Sequence, residues 1–280
     1  IKTPFLVSFD IPEGMRVAGN TREARSSEIG NDTVHVELTK TEPLPVYLLA
    51  FAVGPLDIVE GKPVPASYAL HREPIAIRGV ATKGHGAQLA KSMEVSAKCL
   101  VALEKWFGIA YPFGKMDIVA VPDFAAGAME NAGFVTFRDE LLFVDDKSPI
   151  GLQKANVFVI AHEFAHQWFG DYVTLAWWDD IWLNEAFATW METPIVEAVR
   201  PDFHATVEQR ANLDRVTGAD SLVSARQIRQ PVVEKGDILN AFDGITYQKG
   251  ASVIEMFASY MGRTKFQQGV RAYMKEHAFG

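Results

Sequence analysis

His162-Glu163-Phe164-Ala165-His166 sets two imidazoles four residues apart with a carboxylate beside the first, and Glu185 follows after eighteen intervening residues. In a helix, residues i and i+4 share a face, so His162 and His166 aim at one point. Glu163 sits where it can take a proton from metal-bound water. Glu185, on a following helix, offers a third protein ligand and leaves a fourth position for water or substrate. That is the layout of a catalytic zinc site, with one Zn2+ per chain.

Histidines spaced in this way are more often helix surface or a core pair, and the bare motif also occurs by chance. The flanks decide otherwise. Ala155-Asn156-Val157-Phe158-Val159-Ile160-Ala161 leads in and Gln167-Trp168-Phe169 leads out, so the helix is apolar nearly all round and reads as buried. Two imidazoles and a carboxylate left unpartnered there would carry a penalty on the order of several kcal/mol. A metal removes most of it.

Upstream lies Gly127-Ala128-Met129-Glu130-Asn131 and downstream Tyr247-Gln248-Lys249-Gly250. With these in order around the histidine motif, the chain resembles the zinc aminopeptidases of the gluzincin clan, the membrane-alanyl-aminopeptidase family. Tyr111-Pro112-Phe113, Val121-Pro122-Asp123-Phe124, Trp177-Trp178-Asp179-Asp180, Trp182-Leu183-Asn184-Glu185 and the run Val46 to Gly54 also look like family segments, so the similarity covers essentially the whole chain. The resemblance implies hydrolysis of the N-terminal peptide bond of peptides with a free N-terminus. It assigns metal ligation to His162, His166 and Glu185, general-base work to Glu163 and oxyanion stabilisation to Tyr247. It assigns the substrate's α-ammonium to Glu130, with Gly127, Ala128, Met129 and Asn131 completing the substrate-binding segment. The family's further acidic or amide anchor lies upstream of the position that Ile1 occupies. Two other readings share the architecture. The leukotriene A4 hydrolase branch, with epoxide hydrolase activity, carries Gly at the position of Ala128. A non-catalytic scaffold would have lost ligands or base, all of which are kept here.

The elements that must position these groups are legible in outline. Residues 1–60 alternate apolar and polar in short runs punctuated by Pro and Gly, a strand-and-turn pattern. Pro63, Pro65 and Pro74 mark a connection, which predicts a domain boundary near residue 75. The expected fold class is α+β: residues 1–75 as the end of an N-terminal β domain, then 76–280 as a thermolysin-like, mainly helical catalytic domain truncated at its C-terminus. Helices are predicted over about 88–107, 151–169, 203–216, 246–262 and 264–278, with strands at 116–121 and 133–137. The Glu185 helix should start after Asp179-Asp180 and stop near Thr193, because Pro194 breaks it. Trp177, Trp178 and Trp182 read as core. Lys249 reads as a salt-bridge or packing residue, and His35, His71, His85, His204 and His277 read as surface or structural.

Composition sets bounds. Of 280 residues 48% are hydrophobic and 22% charged, ordinary for a globular chain. A net charge of −8 supplies no basic stripe for phosphates, which argues against nucleic acid. Cys99, the single cysteine, rules out an intrachain disulfide and favours a cytosolic compartment. It falls in an apolar helical stretch and is expected to be buried and inert. No apolar run is long enough to span a membrane. The chain starts with Ile1 and is expected to be a piece of a longer one that turns over poorly in isolation.

Overall fold

The alternation in residues 1–60 resolves into six strands, and the last of them belongs to the sheet that carries the chemistry. The structure is a computed structural model that describes residues 1–66, 70 and 73–280. Strands β1 (Ser8–Pro12), β4 (Thr33–Leu38) and β3 (Glu23–Gly30) form an antiparallel sheet in that order. Its β3–β4 hairpin turns through Asn31 and Asp32, with φ of 53° and 52°, the left-handed pair that a two-residue turn demands. Strands β2 (Arg16–Gly19) and β5 (Phe51–Gly54) pair separately.

The third sheet runs β6 (Leu56–Glu60), β7 (Ala76–Thr82), β8 (Lys115–Val121), β10 (Phe134–Arg138), β9 (Ala128–Met129). Strands β7, β8 and β10 are parallel, and β8 is buried almost along its length: Ile118 to Val121 are apolar, and the buried Lys115 and Asp117 pair with each other at 2.8 Å. β6 pairs antiparallel with β7, from Leu56 opposite Thr82 to Glu60 opposite Arg78. The sheet therefore draws one edge strand from before the boundary expected near residue 75. Alternation identifies a strand but does not name its partner. β9 forms the other edge, and it is the Ala128–Met129 segment.

The described helices are α1 (Ala90–Phe107), α2 (Asp139–Leu142), α3 (Ile150–His166), α4 (Ile181–Val199), α5 (Ala205–Asp220), α6 (Lys235–Asn240), α7 (Gly250–Met261) and α8 (Arg263–Glu276). The fold is α+β, as the sequence predicts. α1 ends where expected: Gly108 takes φ of 62° and its N–H closes on the Glu104 carbonyl. Cys99 on α1 is buried, and burial pushes its thiol up to about 12. Among the described residues no helix is long and apolar enough to cross a membrane.

Two expectations need correction. α4 does not stop at Thr193; it runs through Pro194 to Val199. Proline removes the hydrogen bond to the Trp190 carbonyl, at about 3 kcal/mol. Beyond it, however, Ile195 and Val196 are buried, each contributing about 1.5–3 kcal/mol. Burial wins. Trp177 and Trp178 are not core either: they are 71% and 44% exposed, on the turn leading into α4, with Trp178 against Tyr47 at 5.7 Å between ring centroids. Trp182, inside α4, packs against the core as expected.

Candidate metal centre

α3 ends by delivering its two histidines to one point, and α4 brings Glu185 to meet them. The packing between these helices sets the meeting. Phe169, just past α3, stacks on Phe187 of α4 at 4.1 Å between centroids, and Phe107 of α1 stacks on Trp168 at 5.2 Å. His162 Nε2 lies 3.2 Å from His166 Nε2 and 3.3 Å from Glu185 Oε2, and His166 Nε2 lies 3.4 Å from the same oxygen. Bonds of about 2.0–2.1 Å at tetrahedral angles place ligand atoms roughly 3.3 Å apart. The triangle fits.

The chemistry of the three atoms fits as well. His166 Nδ1 faces the Phe169 carbonyl at 3.2 Å, which can only accept, so Nδ1 carries the proton and Nε2 offers a lone pair. His162 Nδ1 faces Glu192 Oε1 at 2.8 Å, with the same consequence. Three acceptors thus face one another in a buried place and demand a cation. An imidazolium pair would set like charges together, whereas one dication serves all three.

The surrounding carboxylates favour positive charge at this point, whether carried by protons or by a metal. Burial alone would lower both imidazoles. At His162 it is outweighed by hydrogen bonds to Glu185 and Glu192, which hold the pKa well above the ordinary value. At His166 it is outweighed by the Glu130 and Glu185 charges, and the pKa is raised to about 9. Glu185, despite its burial, is held below the usual carboxylate range by the imidazoles. Glu163, also buried, lies close by. Its carboxylate, that of Glu130 and a nitrogen of His166 lie within 4.8 Å of one another. Burial raises Glu163 to about 8 and raises Glu130 also.

Tyr247 sits on a single π-turn, Ile245–Lys249, ahead of α7, where the sequence predicts plain helix. Its ring is 5.9 Å from that of His162. Burial and the Glu185, Glu163 and Glu130 charges push its hydroxyl pKa upward, so it stays a donor. Gly127, Ala128 and Met129 line the sheet's outer edge at β9 and the residue before it. Asn131 is buried, and its Oδ1 accepts from the Thr136 hydroxyl at 3.1 Å.

Lys249 pairs with Asp220, and His35 lies at the surface between Asp10 and Glu37. His71 lies outside the described residues. Sequence reasoning passed over Glu192, although its signal was available: it follows Glu185 by seven residues, two turns along the same face. Gly170, directly after the helix predicted over 151–169, also bears on the site. Gly170 has φ of 138°, and a Cβ there would come 2.6 Å from Asn184 Oδ1 and 3.3 Å from His166 Nδ1.

Residues 91–280 match the Peptidase family M1 domain. "Aminopeptidase M1-D" of Oryza sativa subsp. japonica is 36% identical over 282 residues, covering 99% of this chain and 31% of the relative. "Aminopeptidase M1" of Arabidopsis thaliana is 35% identical over 279 residues, with 99% and 31% covered. "Aminopeptidase 2" of Candida albicans is 34% identical over 281 residues, with 100% and 29% covered. The chain spans about a third of the length of the curated relatives it matches. Since the domain match runs through every residue of the triangle and the likeness to these relatives holds across the whole chain, the chain belongs to peptidase family M1.

Proposed function

We propose that this chain carries the catalytic centre of a zinc aminopeptidase, which removes N-terminal residues from peptides with a free α-amino group. The observation that carries the reading is the buried triangle of His162 Nε2, His166 Nε2 and Glu185 Oε2, 3.2–3.4 Å on each side, with Glu163 and Glu130 close by. Two imidazoles, one carboxylate and a free fourth position are a donor set that suits zinc. His162, His166 and Glu185 would hold the zinc, whose chemistry when bound would be to acidify a water to a pKa of roughly 7 and to polarise the scissile carbonyl.

The chain's own groups do the rest. Glu163 accepts the proton of the attacking water and passes it to the leaving amine. Tyr247, kept protonated by its surroundings, donates to the developing oxyanion. Glu130 pairs with the α-ammonium and so fixes the cut one residue in; an internal peptide bond would leave this carboxylate buried without its cation. The outer edge of β9 supports the same reading, since an extended substrate can add to an unpaired strand edge.

Glu163→Gln tests the core of it. The variant should keep its zinc and lose hydrolysis of an aminoacyl arylamide, because an amide cannot take the proton. Near-normal turnover in a zinc-replete Glu163→Gln enzyme would rule out the assigned base.

A further inference from the structure

Gln167 follows the ligand His166 and is fully buried, and its carboxamide is used at both ends. Nε2 donates to the Glu130 carbonyl at 2.9 Å and to Asp171 Oδ2 at 2.9 Å. Oε1 accepts from the Gly133 N–H at 3.0 Å and from the Tyr111 hydroxyl at 3.3 Å. The backbone partners fix which end is which, since a carbonyl only accepts and an N–H only donates. No other side chain of this length offers two donors and two acceptors, so the position demands an amide.

The contacts fall on the two ends of one turn. Glu130 to Gly133 leads from β9 into β10, with Gly133 at φ of 68°. On its far side the turn is held by Asn20 Nδ2 on the Ala132 carbonyl at 2.9 Å and by Lys115 Nζ on the Gly133 carbonyl at 2.7 Å. Those two groups come from the N-terminal β layer and from β8, neither of which carries a ligand. Among the described side-chain hydrogen bonds to the turn, those of Gln167 tie it to the residue next to a histidine of the triangle. Both ends of that link are buried, so water does not substitute for it.

We infer that Gln167 is a positioning residue that fixes Glu130 relative to the metal centre and thereby sets the enzyme's preference for a free α-amine. The inference rests on the reading of Glu130 as the amine anchor. A carboxylate that must pair with an ammonium while the adjacent carbonyl meets the metal has to sit at a set distance from the histidines. A flexible turn would not keep it there. The Gln167 bridge spans that distance with two short bonds to backbone.

The test uses the full-length, zinc-loaded enzyme, leucine p-nitroanilide and its desamino analogue 4-methylpentanoyl p-nitroanilide. The quantity read is the ratio of kcat/KM for the two, together with zinc content. Gln167→Met, of similar length without the amide, should keep one zinc and lower the ratio about 10- to 100-fold, the usual scale for groups that orient a site from behind. The loss should lie mainly in KM for the amine substrate. Gln167→Glu keeps an acceptor for Gly133 and should lower the ratio in the same direction. With Glu130→Ala as background, adding Gln167→Met should not move the ratio further. A ratio unchanged in both variants, while Glu130→Ala lowers it, overturns the role of Gln167 and leaves the anchor standing. A wild-type ratio near one overturns the anchor reading and this inference with it. Loss of zinc in both variants would assign Gln167 to holding the metal helix, and so also overturns it.

Discussion

His166 joins two roles in one ring: its Nδ1 is tied to the Phe169 carbonyl and its Nε2 faces the triangle. Its pKa is raised to about 9, so below that pH a proton occupies the place a metal would take. The sign follows: a metal must displace that proton, and affinity falls as pH falls. Each displaced proton weakens binding about tenfold per pH unit. Titrating zinc against a competing chelator between about pH 8 and about pH 6 should show at least this slope, with protons released on binding. An affinity flat across that range would contradict the charge arrangement described here. At this scale much was readable in advance. The histidines, Glu163 and Glu185 are legible by type and spacing, whereas Tyr247 is singled out only by the family resemblance of its segment. Gln167 does not, because a glutamine's meaning depends wholly on which backbone groups it faces.

The helices show where reading along the chain reaches its limit. α3 was predicted from its flanks and found nearly in place, because a helix apolar all round has few alternatives. α4 outran its prediction because Pro194 acts locally while Ile195 and Val196 act through packing. The π-turn under Tyr247 leaves no periodicity to detect, being one extra residue in a single turn. A close helix crossing lies next to it. A Cβ on Gly250 would come 2.6 Å from the Ala186 Cβ, so α7 crosses α4 at a point where only glycine fits, one residue from Glu185. Gly250→Ala should push α7 outward and carry Tyr247 with it. We expect zinc content to be unchanged, since the ligands stand on α3 and α4, and turnover to fall towards the roughly 10²–10³-fold loss of one oxyanion donor. A variant with full activity would show that the close crossing does not set the tyrosine.

Across the whole molecule, apolar surface is distributed unevenly. Met256, Phe257, Tyr260 and Met261 of α7 are exposed, Tyr260 at 90%, while the helices around the triangle are sealed. Val207, Leu222, Val223 and Val233 are exposed on neighbouring segments. An exposed apolar helix face such as that of Met256, Phe257, Tyr260 and Met261 marks a surface that packs against something. The 280-residue chain on its own should therefore self-associate and bind an environment-sensitive apolar dye, and Tyr260→Lys with Phe257→Lys should reduce both. Sedimentation showing a dye-silent monomer would contradict this. Composition could not have located that face, because it counts apolar residues without saying which side of α7 the fold leaves bare.

The triangle has a final consequence, which concerns choice of ion. Its sides are set by aromatic packing between α3 and α4, so the protein arrives with tetrahedral spacing already fixed. Ions that favour square arrangements need neighbouring donors about 2.9 Å apart at bonds of this length and would have to compress the triangle. Copper, the tighter binder by intrinsic affinity, is disfavoured by shape. Cobalt accepts the same tetrahedral spacing, and the site has no geometric means of refusing it. Protein purified from cobalt-supplemented medium should be coloured and should keep its activity, whereas copper-loaded protein should be inactive.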